Sequence, residues 1–412
     1  MTLFDGAGAL LSLIAMFGYI NHRFIKLPDM LGITAVGLVA SVCLLLLSLF
    51  YPEMVIEAQH LVGMIDFSEL VFHGLLGLLL FAGALHIDIS KMRRLKMPVF
   101  LLATIGVLIS TAVVGVGFFL VTSFCNVPIS FLWCLVFGAL ISPTDPIAVL
   151  AVLKNAKVSP DLETQIAGES LFNDGTAVVA FMTLLGLATG NTEFSLLSVM
   201  MALIQEIFGA VIFGLVIGYI ASVMLKDLDS YPVEILITLA LSTAGYSIAE
   251  HLHVSAPLSV VVIGLVVGYN SNLSRGHKSK NREYLFSFWG LLDELLNLIL
   301  FGLIGLKIVA LSFSIKNLWI GIIAIFVVLI ARYISVAAPI NMLHYMKDNR
   351  HAVKIMTWGG LRGGISIALS LLLPSFEGRE MLIGVTYVVV IFSLLVQATT
   401  LGPLVKFLDK KN

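Results

Sequence analysis

Charged residues are scarce in this chain of 412 residues, because Asp, Glu, Lys and Arg together make up only 12% of it. Soluble globular domains carry about 25% charged residues. Hydrophobic residues reach 59% and the mean hydropathy is +1.04, so we expect a polytopic membrane protein embedded in the lipid bilayer. The formal net charge is -1, and a chain without excess positive charge is not expected to bind nucleic acid.

Cysteine is also rare, since the chain contains only Cys43, Cys125 and Cys134. Three irregularly spaced cysteines do not form the pattern of a disulfide framework or of a zinc site. The sequence also lacks a P-loop, a His-Glu-x-x-His zinc motif and a nucleophile elbow. We therefore expect no cofactor and no enzyme activity.

Long apolar runs, by contrast, fill the chain. A helix needs roughly 17 to 25 apolar residues to cross a bilayer, and thirteen runs meet this requirement. The sequence therefore predicts a single all-α membrane unit over 1–412 with thirteen transmembrane helices. The runs lie near 2–20, 29–50, 67–86, 97–122, 129–151, 164–188, 195–225, 231–250, 255–270, 284–311, 317–343, 352–373 and 380–407.

Positive charge alternates between the loops that join these runs. Most Lys and Arg residues lie in the odd-numbered loops and the C-terminal tail, whereas the even-numbered loops hold only Lys316 and Arg379. Because cytoplasmic loops carry the excess of Lys and Arg, we expect a multi-pass inner-membrane protein with its N-terminus outside and its C-terminus in the cytoplasm. The even-numbered loops carry the acidic residues Glu53, Glu57, Asp66 and Glu193.

Two of the runs contain residues that break helices near their middles. The fifth run contains Ser-Pro-Thr-Asp-Pro at 142–146, and the twelfth contains Gly-Gly-Leu-Arg-Gly-Gly at 359–364. Both segments are expected to unwind inside the membrane. The two runs lie seven apart, which predicts two inverted six-helix repeats joined by the seventh run. Interrupted helices at matching places in inverted repeats point to the binding site of a transporter.

The sixth run carries acidic and neutral polar residues where the rest of it is apolar. In a helix, Ser170 and Asp174 share one face, and Glu169 and Asn173 share the neighbouring face. A charged side chain at the centre of a bilayer costs roughly 2.5 to 3.5 kcal/mol on insertion scales, so such residues usually mark an ion or proton pathway. This pattern predicts a cation site.

The charges near mid-membrane leave one carboxylate in excess. Three acids, Asp145, Glu169 and Asp174, face two arginines, Arg332 and Arg362. We expect Glu169 to pair with Arg332 and Asp145 with Arg362, which leaves Asp174 as the exchangeable carboxylate. Two interpretations of Asp145 stay open, because it can cap the second half-helix of the fifth run or contact the ion directly.

The residue next to Asp145 adds a neutral oxygen, because Thr144 could offer the ion a hydroxyl or a backbone carbonyl oxygen. Oxygen ligands suit hard cations such as Na⁺ or Li⁺. A carboxylate removed from water can be neutralised by a proton or by a cation, and this competition is the basis of antiport. One cation exchanged for one proton makes the cycle electroneutral.

Several alternatives remain at this stage. K⁺/H⁺ exchange is the nearest, because the sequence does not give the size of the cavity. A cation channel is less favoured, because conduction uses several weak sites in series. An organic-anion carrier is disfavoured by Asp145 and Asp174 at the half-helix ends. His73 could sense pH or simply pack, and Asp293 with Glu294 could line an access route.

Three motifs, at 142–146, 168–174 and 357–364, closely resemble those of the monovalent cation:proton antiporters, in the NhaP-type and animal sodium/proton exchanger branch. The resemblance implies an NhaA-like antiporter fold and a homodimer. It also implies dimerisation helices within 1–86 and 195–311, and a moving core within 67–188 and 284–407.

For the site, the resemblance implies that Asp174, Ser170 and a Thr144 carbonyl bind Na⁺. It gives Asn173 the role of holding the broken helix and makes Glu169 with Arg332 a structural pair. The Asn-Asp sequence at 173–174 is implied to mark one-for-one exchange. Some relatives carry an acid near 81–84, and this chain has none there.

Overall fold

The computed structural model describes residues 3–47, 50–51, 63, 66–153, 158–190, 196–273, 279–310, 315–342 and 351–409. Within these ranges the regular secondary structure is helical throughout. Three loop acids that enter the orientation argument, Glu53, Glu57 and Glu193, lie outside the described residues.

Sixteen helices, which we number α1 to α16, are described, together with a π-turn at Asn21–Ile25 after α1 and a 3-10 turn at Ile308–Ala310 after α12. Three of them, α3, α5 and α16, continue through an internal π-turn, at Leu70–Leu75, Leu102–Gly106 and Ser393–Gln397 respectively. The helices are α1 Leu3–Ile20, α2 Asp29–Leu47, α3 Phe67–His86, α4 Ile89–Arg94, α5 Lys96–Phe124, α6 Phe131–Leu140, α7 Pro146–Leu153, α8 Pro160–Ala188, α9 Leu196–Asp227, α10 Tyr231–His251, α11 Ala256–Leu273, α12 Ser279–Lys307, α13 Ile315–Met342, α14 Ala352–Trp358, α15 Gly364–Leu371 and α16, which runs from Arg379 to Asp409.

Each of the predicted apolar runs contains at least one of these helices. Ten helical segments in the described part of the chain are long and apolar enough to cross a membrane, by length and composition. The helix α6 and the segment Ala256–Asn270 of α11 are apolar but shorter. The expected class of all-helical, multi-pass membrane protein is therefore confirmed.

The predicted breaks in the fifth and twelfth runs are present. The helix α6 ends at Leu140 and α7 begins at Pro146, while α14 ends at Trp358 and α15 begins at Gly364. The two unwound segments meet, because the Asp145 amide donates a hydrogen bond of 2.8 Å to the Leu361 carbonyl oxygen. This bond satisfies backbone groups that unwinding would otherwise leave unpaired in an apolar interior.

The helix α8 carries the polar residues of the sixth run. Ser159 is its N-cap and accepts a hydrogen bond of 3.3 Å from the Leu162 amide. Pro160 occupies the first helical position, where proline is favoured. The helix then runs for 29 residues and is largely buried from Leu162 to Phe181. The fold thus places the polar residues of this helix in the protein interior.

The helices α2 and α12 approach closely along a seam of small residues. A Cβ atom added to Gly305 would stand 2.9 Å from the Thr34 carbonyl oxygen and 3.1 Å from the Gly37 Cα. Two hydroxyls cross the seam, because Ser41 Oγ donates to the Gly305 carbonyl oxygen at 2.8 Å and Thr34 Oγ1 to that of Phe301 at 3.2 Å. Small residues and hydroxyls are the usual means of joining helices inside a membrane.

We expect Gly305→Ala to separate α2 from α12 and to lower stability by about 1–3 kcal/mol, as overpacking does elsewhere. The measurement is the melting temperature of the purified protein in detergent. The matched control is Gly8→Ala in α1, where an added Cβ would meet nothing within 4 Å. If Gly305→Ala melted no lower than the control, the seam would not be closely packed.

Candidate functional site

Hydrogen bonds join the break in the fifth run to α8. Asn173 Nδ2 donates to Thr144 Oγ1 at 2.7 Å, and Thr144 Oγ1 lies 3.0 Å from Ser170 Oγ. The Thr144 amide lies 3.5 Å from Asn173 Oδ1. All three side chains are buried. Because Asn173 donates to Thr144, the Thr144 hydroxyl hydrogen is free to point towards Ser170, which orders all three groups.

Asp174 lies one residue further along α8 and is only 5% exposed. Its Oδ1 atom has no hydrogen-bond partner among the described residues. The side chain lines a cavity of about 760 Å³, which Thr144 and Asp145 line as well. A buried carboxylate oxygen that no protein donor satisfies is costly in itself, so its position beside a cavity indicates a place where a cation or proton binds.

Asp145 stands at the junction of the two breaks. Its Oδ1 accepts a hydrogen bond of 2.9 Å from the Ile147 amide at the start of α7, as an N-capping carboxylate does. The carboxylate also packs against the twelfth-run break, because a Cβ added to Gly363 would stand 2.8 Å from Asp145 Oδ2. The hydrogen bond to Ile147 supports the capping interpretation of Asp145. Because Asp145 also lines the cavity, direct contact with the ion stays a prediction.

Glu169 and Arg332 form the predicted pair. Arg332 Nη1 contacts Glu169 Oε1, and Nη2 donates to Oε2 at 3.0 Å, which makes the contact bidentate. Arg332 Nε also donates to the Met356 carbonyl oxygen at 3.3 Å, near the end of α14. Glu169 is 1% exposed and Arg332 8%. The pair thus ties α8, α13 and α14 together in the interior.

The predicted pair of Arg362 with Asp145 is wrong. Arg362 Nη1 donates instead to the carbonyl oxygens of Ser142 and Pro143, at 2.6 and 3.0 Å. Its Nε and Nη2 atoms have no hydrogen-bond partner among the described residues. The unwound fifth run exposes carbonyl oxygens, and these compete successfully for the guanidinium because they lie at the crossing itself.

Arg362 nevertheless remains part of the site's electrostatics. Asp145, Arg362 and Glu169 all lie within electrostatic range of Asp174. With Arg332 included, the described residues of the cluster comprise three carboxylates and two guanidiniums, as the sequence predicts; Glu169, Asp174 and both arginines are buried, and Asp145 is half-buried.

Two residues of α16 that hold the break in the twelfth run were not predicted from the sequence. The Arg362 amide donates to Ser393 Oγ at 2.8 Å, and Gln397 Nε2 donates to the Trp358 carbonyl oxygen at 3.0 Å. Both side chains lie in the π-turn of α16 and together they support the two edges of the break in the twelfth run. The sequence feature that could have indicated them is their spacing, because two polar residues four apart in the apolar thirteenth run share one helix face.

The rest of the cavity wall includes further acidic residues. Asp293 and Glu294 of α12 line it, and so do His86 and Asn297. Asn297 Nδ2 donates to Asp293 Oδ1 at 3.2 Å. Among the described residues, four carboxylates therefore border this cavity.

His73 lies apart from the site. Its Nε2 atom is 3.5 Å from Glu250 Oε1, and both side chains are substantially exposed at the protein surface. It does not line the cavity that contains Asp174.

An all-helical membrane protein in which two broken helices cross beside a buried carboxylate has the architecture of a secondary ion transporter. A family model described as "Sodium/hydrogen exchanger, transmembrane" matches residues 11–407. The chain belongs to this sodium/hydrogen exchanger family, and the resemblance of its three motifs is thereby confirmed.

The relatives cover nearly the whole chain. The Na⁺/H⁺ antiporter NhaP of Pseudomonas aeruginosa is 43% identical over 414 residues, which cover 98% of this chain and 96% of that protein. The Na⁺/H⁺ antiporter NhaH of Halobacillus aidingensis is 33% identical over 400 residues, 93% of each chain. Among solved structures, the sodium proton antiporter MjNhaP1 from Methanocaldococcus jannaschii matches with a TM-score of 0.74, covering 98% of this chain and 99% of that one. At 20% identity, this last likeness shows the fold alone.

The bidentate pair makes a prediction for stability. Glu169→Gln or Arg332→Gln leaves one buried charge without its partner, and breaking a buried pair in this way costs about 3–5 kcal/mol. We expect each single variant to lower the melting temperature and the yield of extracted protein, and the Glu169→Gln/Arg332→Gln double variant to recover part of the loss. The control is Glu163→Gln on the first turn of the same helix. A double variant as poor as the singles would contradict the pairing.

Proposed function

We propose that this protein exchanges one Na⁺ or Li⁺ for one H⁺ by alternating access at Asp174. The observation that carries the proposal is the Asp174 carboxylate, which is buried, has an oxygen without a protein partner, and lines a cavity beside two crossed helix breaks. The names of the relatives from Pseudomonas aeruginosa and Halobacillus aidingensis, both Na⁺/H⁺ antiporters, agree with it.

The stoichiometry follows from the charges of this interior cluster, in which only Asp145 is half-buried. Asp145, Glu169 and Asp174 carry three negative charges, and Arg332 and Arg362 carry two positive ones. One bound Na⁺ or one bound proton makes the cluster neutral, whereas two would leave a net positive charge in the membrane interior. In each half-cycle the site therefore carries one positive charge, and the complete cycle moves no net charge.

The ligands proposed for Na⁺ are the Asp174 carboxylate, the Ser170 hydroxyl and an oxygen of Thr144. The hydrogen bonds from Asn173 to Thr144 and between Thr144 and Ser170 support this set, because they gather neutral oxygens in the residues around Asp174. Asp145 is the fourth candidate, with its capping bond to Ile147 holding it at the edge of the cavity. All of these ligands are oxygens, which hard monovalent cations prefer.

The proposal includes the arrangement in the membrane. We assign thirteen transmembrane helices in two inverted six-helix repeats, an outside N-terminus and a cytoplasmic C-terminus in the inner membrane. Dimerisation helices within 1–86 and 195–311 and a core within 67–188 and 284–407 form a homodimer whose cores move. The cavity is lined by His86 and Ser287, next to the basic loops assigned to the cytoplasm, which supports an inward-facing state.

Competition between the two substrates is a direct consequence. A proton on Asp174 removes the charge that holds Na⁺, and Na⁺ on Asp174 displaces the proton. Lowering the pH on the Na⁺ side therefore raises the apparent KM for Na⁺ without lowering the rate at saturating Na⁺.

We expect Asp174→Asn to abolish exchange, because an amide carries no charge for Na⁺ and releases no proton. Purified protein is reconstituted in liposomes, a Na⁺ gradient is imposed, and internal pH is followed with a fluorescent dye. The control is Asp161→Asn, an exposed acid on the first turn of the same helix, which is expected to exchange at the wild-type rate.

The same assay separates the alternatives. Retained Na⁺-driven proton movement in Asp174→Asn would remove Asp174 from its proposed role. A wild-type response to K⁺ but not to Na⁺ or Li⁺ would make the protein a K⁺/H⁺ antiporter, and Na⁺ flux without proton movement would make it a channel.

A further inference from the structure

Unpaired positive charges are concentrated in the turn between α3 and α5. Lys91, Arg93, Arg94 and Lys96 fall within six residues, and all except the half-buried Lys91 are exposed. Within the described ranges, none of these four side chains has an ion-pair partner. The nearby acid Asp88 is used as the N-cap of α4, where it accepts a hydrogen bond of 2.9 Å from the Ser90 amide.

The opposite side of this turn is fixed to the helix that carries the site. Met92 and Leu95 are 8% and 2% exposed, and they form a small apolar cluster against which Phe172 of α8 packs. A Cβ added to Gly168 would stand 2.7 Å from Met92 Cε, so the methionine fills the space that this glycine leaves. The turn therefore cannot rotate its basic side chains inward without breaking this contact.

A fifth positive charge lies at the same corner of the molecule. The Arg282 guanidinium sits 5.2 Å from the centre of the Phe286 ring, and that ring stands edge-on to His86 at 5.5 Å. His86 ends α3, only a few residues before α4 begins, and it lines the cavity. We call Lys91, Arg93, Arg94, Lys96 and Arg282 the basic corner.

The basic corner lies where membrane helices end. One candidate span ends at His86, the next begins at Lys96, and a third begins at Arg282. Side chains at such ends are at the level of the lipid headgroups. A partner that fits this position must be anionic and must be present in the membrane surface itself.

We propose that the basic corner binds the headgroups of anionic phospholipids in the cytoplasmic leaflet. Clusters of four or more Lys and Arg directly beside membrane helices are attracted to anionic lipid. Here the contact of Met92 with Gly168 holds the basic face outward in advance, so little ordering is needed when lipid binds.

The bound lipid also has a consequence for transport, which rests on the proposed Na⁺ exchange. The Arg282 guanidinium packs on the ring that meets His86, and His86 lines the cavity that contains Asp174. Without lipid, the positive charges of the basic corner are expected to repel Na⁺ that approaches this side of the protein. Anionic headgroups neutralise them. Lipid at the basic corner is therefore expected to lower the apparent KM for cytoplasmic Na⁺ while leaving the maximal rate unchanged.

Binding is tested first, on the full chain purified in neutral detergent and titrated with phosphatidylglycerol, with the melting temperature as the readout. Each Lys or Arg near an anionic surface strengthens binding about fivefold, so we expect Arg93→Gln/Arg94→Gln to weaken phosphatidylglycerol binding by about thirtyfold. The matched control is Lys354→Gln/Lys406→Gln, which removes two exposed positive charges elsewhere and leaves binding unchanged.

Two results would overturn the lipid assignment. One is equal phosphatidylglycerol binding by the two double variants. The other is binding of soluble glycerol phosphate as tight as that of the lipid, which would make the corner a site for free phosphate. Because this readout does not involve transport, it stands even if Na⁺ exchange is not observed.

The transport consequence is tested in liposomes of phosphatidylcholine with and without phosphatidylglycerol. We expect Arg93→Gln/Arg94→Gln to lower the apparent KM for Na⁺ in phosphatidylcholine towards the wild-type value in phosphatidylglycerol, and to reduce its dependence on lipid. The control pair Lys354→Gln/Lys406→Gln should keep the wild-type dependence. A higher KM in the Arg93→Gln/Arg94→Gln variant would contradict the repulsion argument.

Discussion

The bidentate contact between Glu169 and Arg332 is the interaction on which the site depends. It neutralises two charges deep in an apolar interior and joins α8 to α13, while Arg332 Nε reaches on to the Met356 carbonyl oxygen of α14. With these two charges satisfied, the remaining balance among Asp145, Asp174 and Arg362 is one negative charge. One cation or one proton can neutralise that single charge. The Glu169–Arg332 pair therefore limits the site to one positive charge, although neither residue is a proposed ligand.

Backbone groups do as much of the positioning as side chains. Unwinding of the fifth and twelfth runs frees backbone carbonyl oxygens and amides in the interior, and side chains bond to them. In the fifth run, Arg362 donates to two carbonyl oxygens and Asp145 caps α7. In the twelfth run, Ser393 and Gln397 of α16 bond to the backbone of the break. Hydrogen bonds thus hold the two breaks from both sides. Asp174 lies on the neighbouring unbroken helix, and its Oδ1 atom has no donor among the described residues. The hydrogen bonds that hold the breaks therefore leave this oxygen available to a cation or a proton.

Residue chemistry alone predicted the breaks and the Glu169–Arg332 pair, because proline and paired glycines cannot continue a buried helix and a buried arginine needs an acid. The same reasoning failed for Arg362, since it counted side-chain charges and left out the carbonyl oxygens that unwinding exposes. It also missed Ser393 and Gln397, because their partners lie more than thirty residues away and a π-turn aims them. The seam of Gly37 and Gly305 required the packed structure, as no sequence pattern joins residues so far apart.

One-for-one exchange at a single carboxylate is the central claim, and its most direct test is the charge moved in each cycle. Wild-type protein in liposomes is given a Na⁺ gradient, and proton movement is compared with and without K⁺ and valinomycin to clamp the membrane potential. The account predicts equal rates in both conditions, because one positive charge crosses in each direction. Proton movement that the clamp accelerates would contradict it, since net charge transfer needs a second exchanging carboxylate, with Asp145 the nearest.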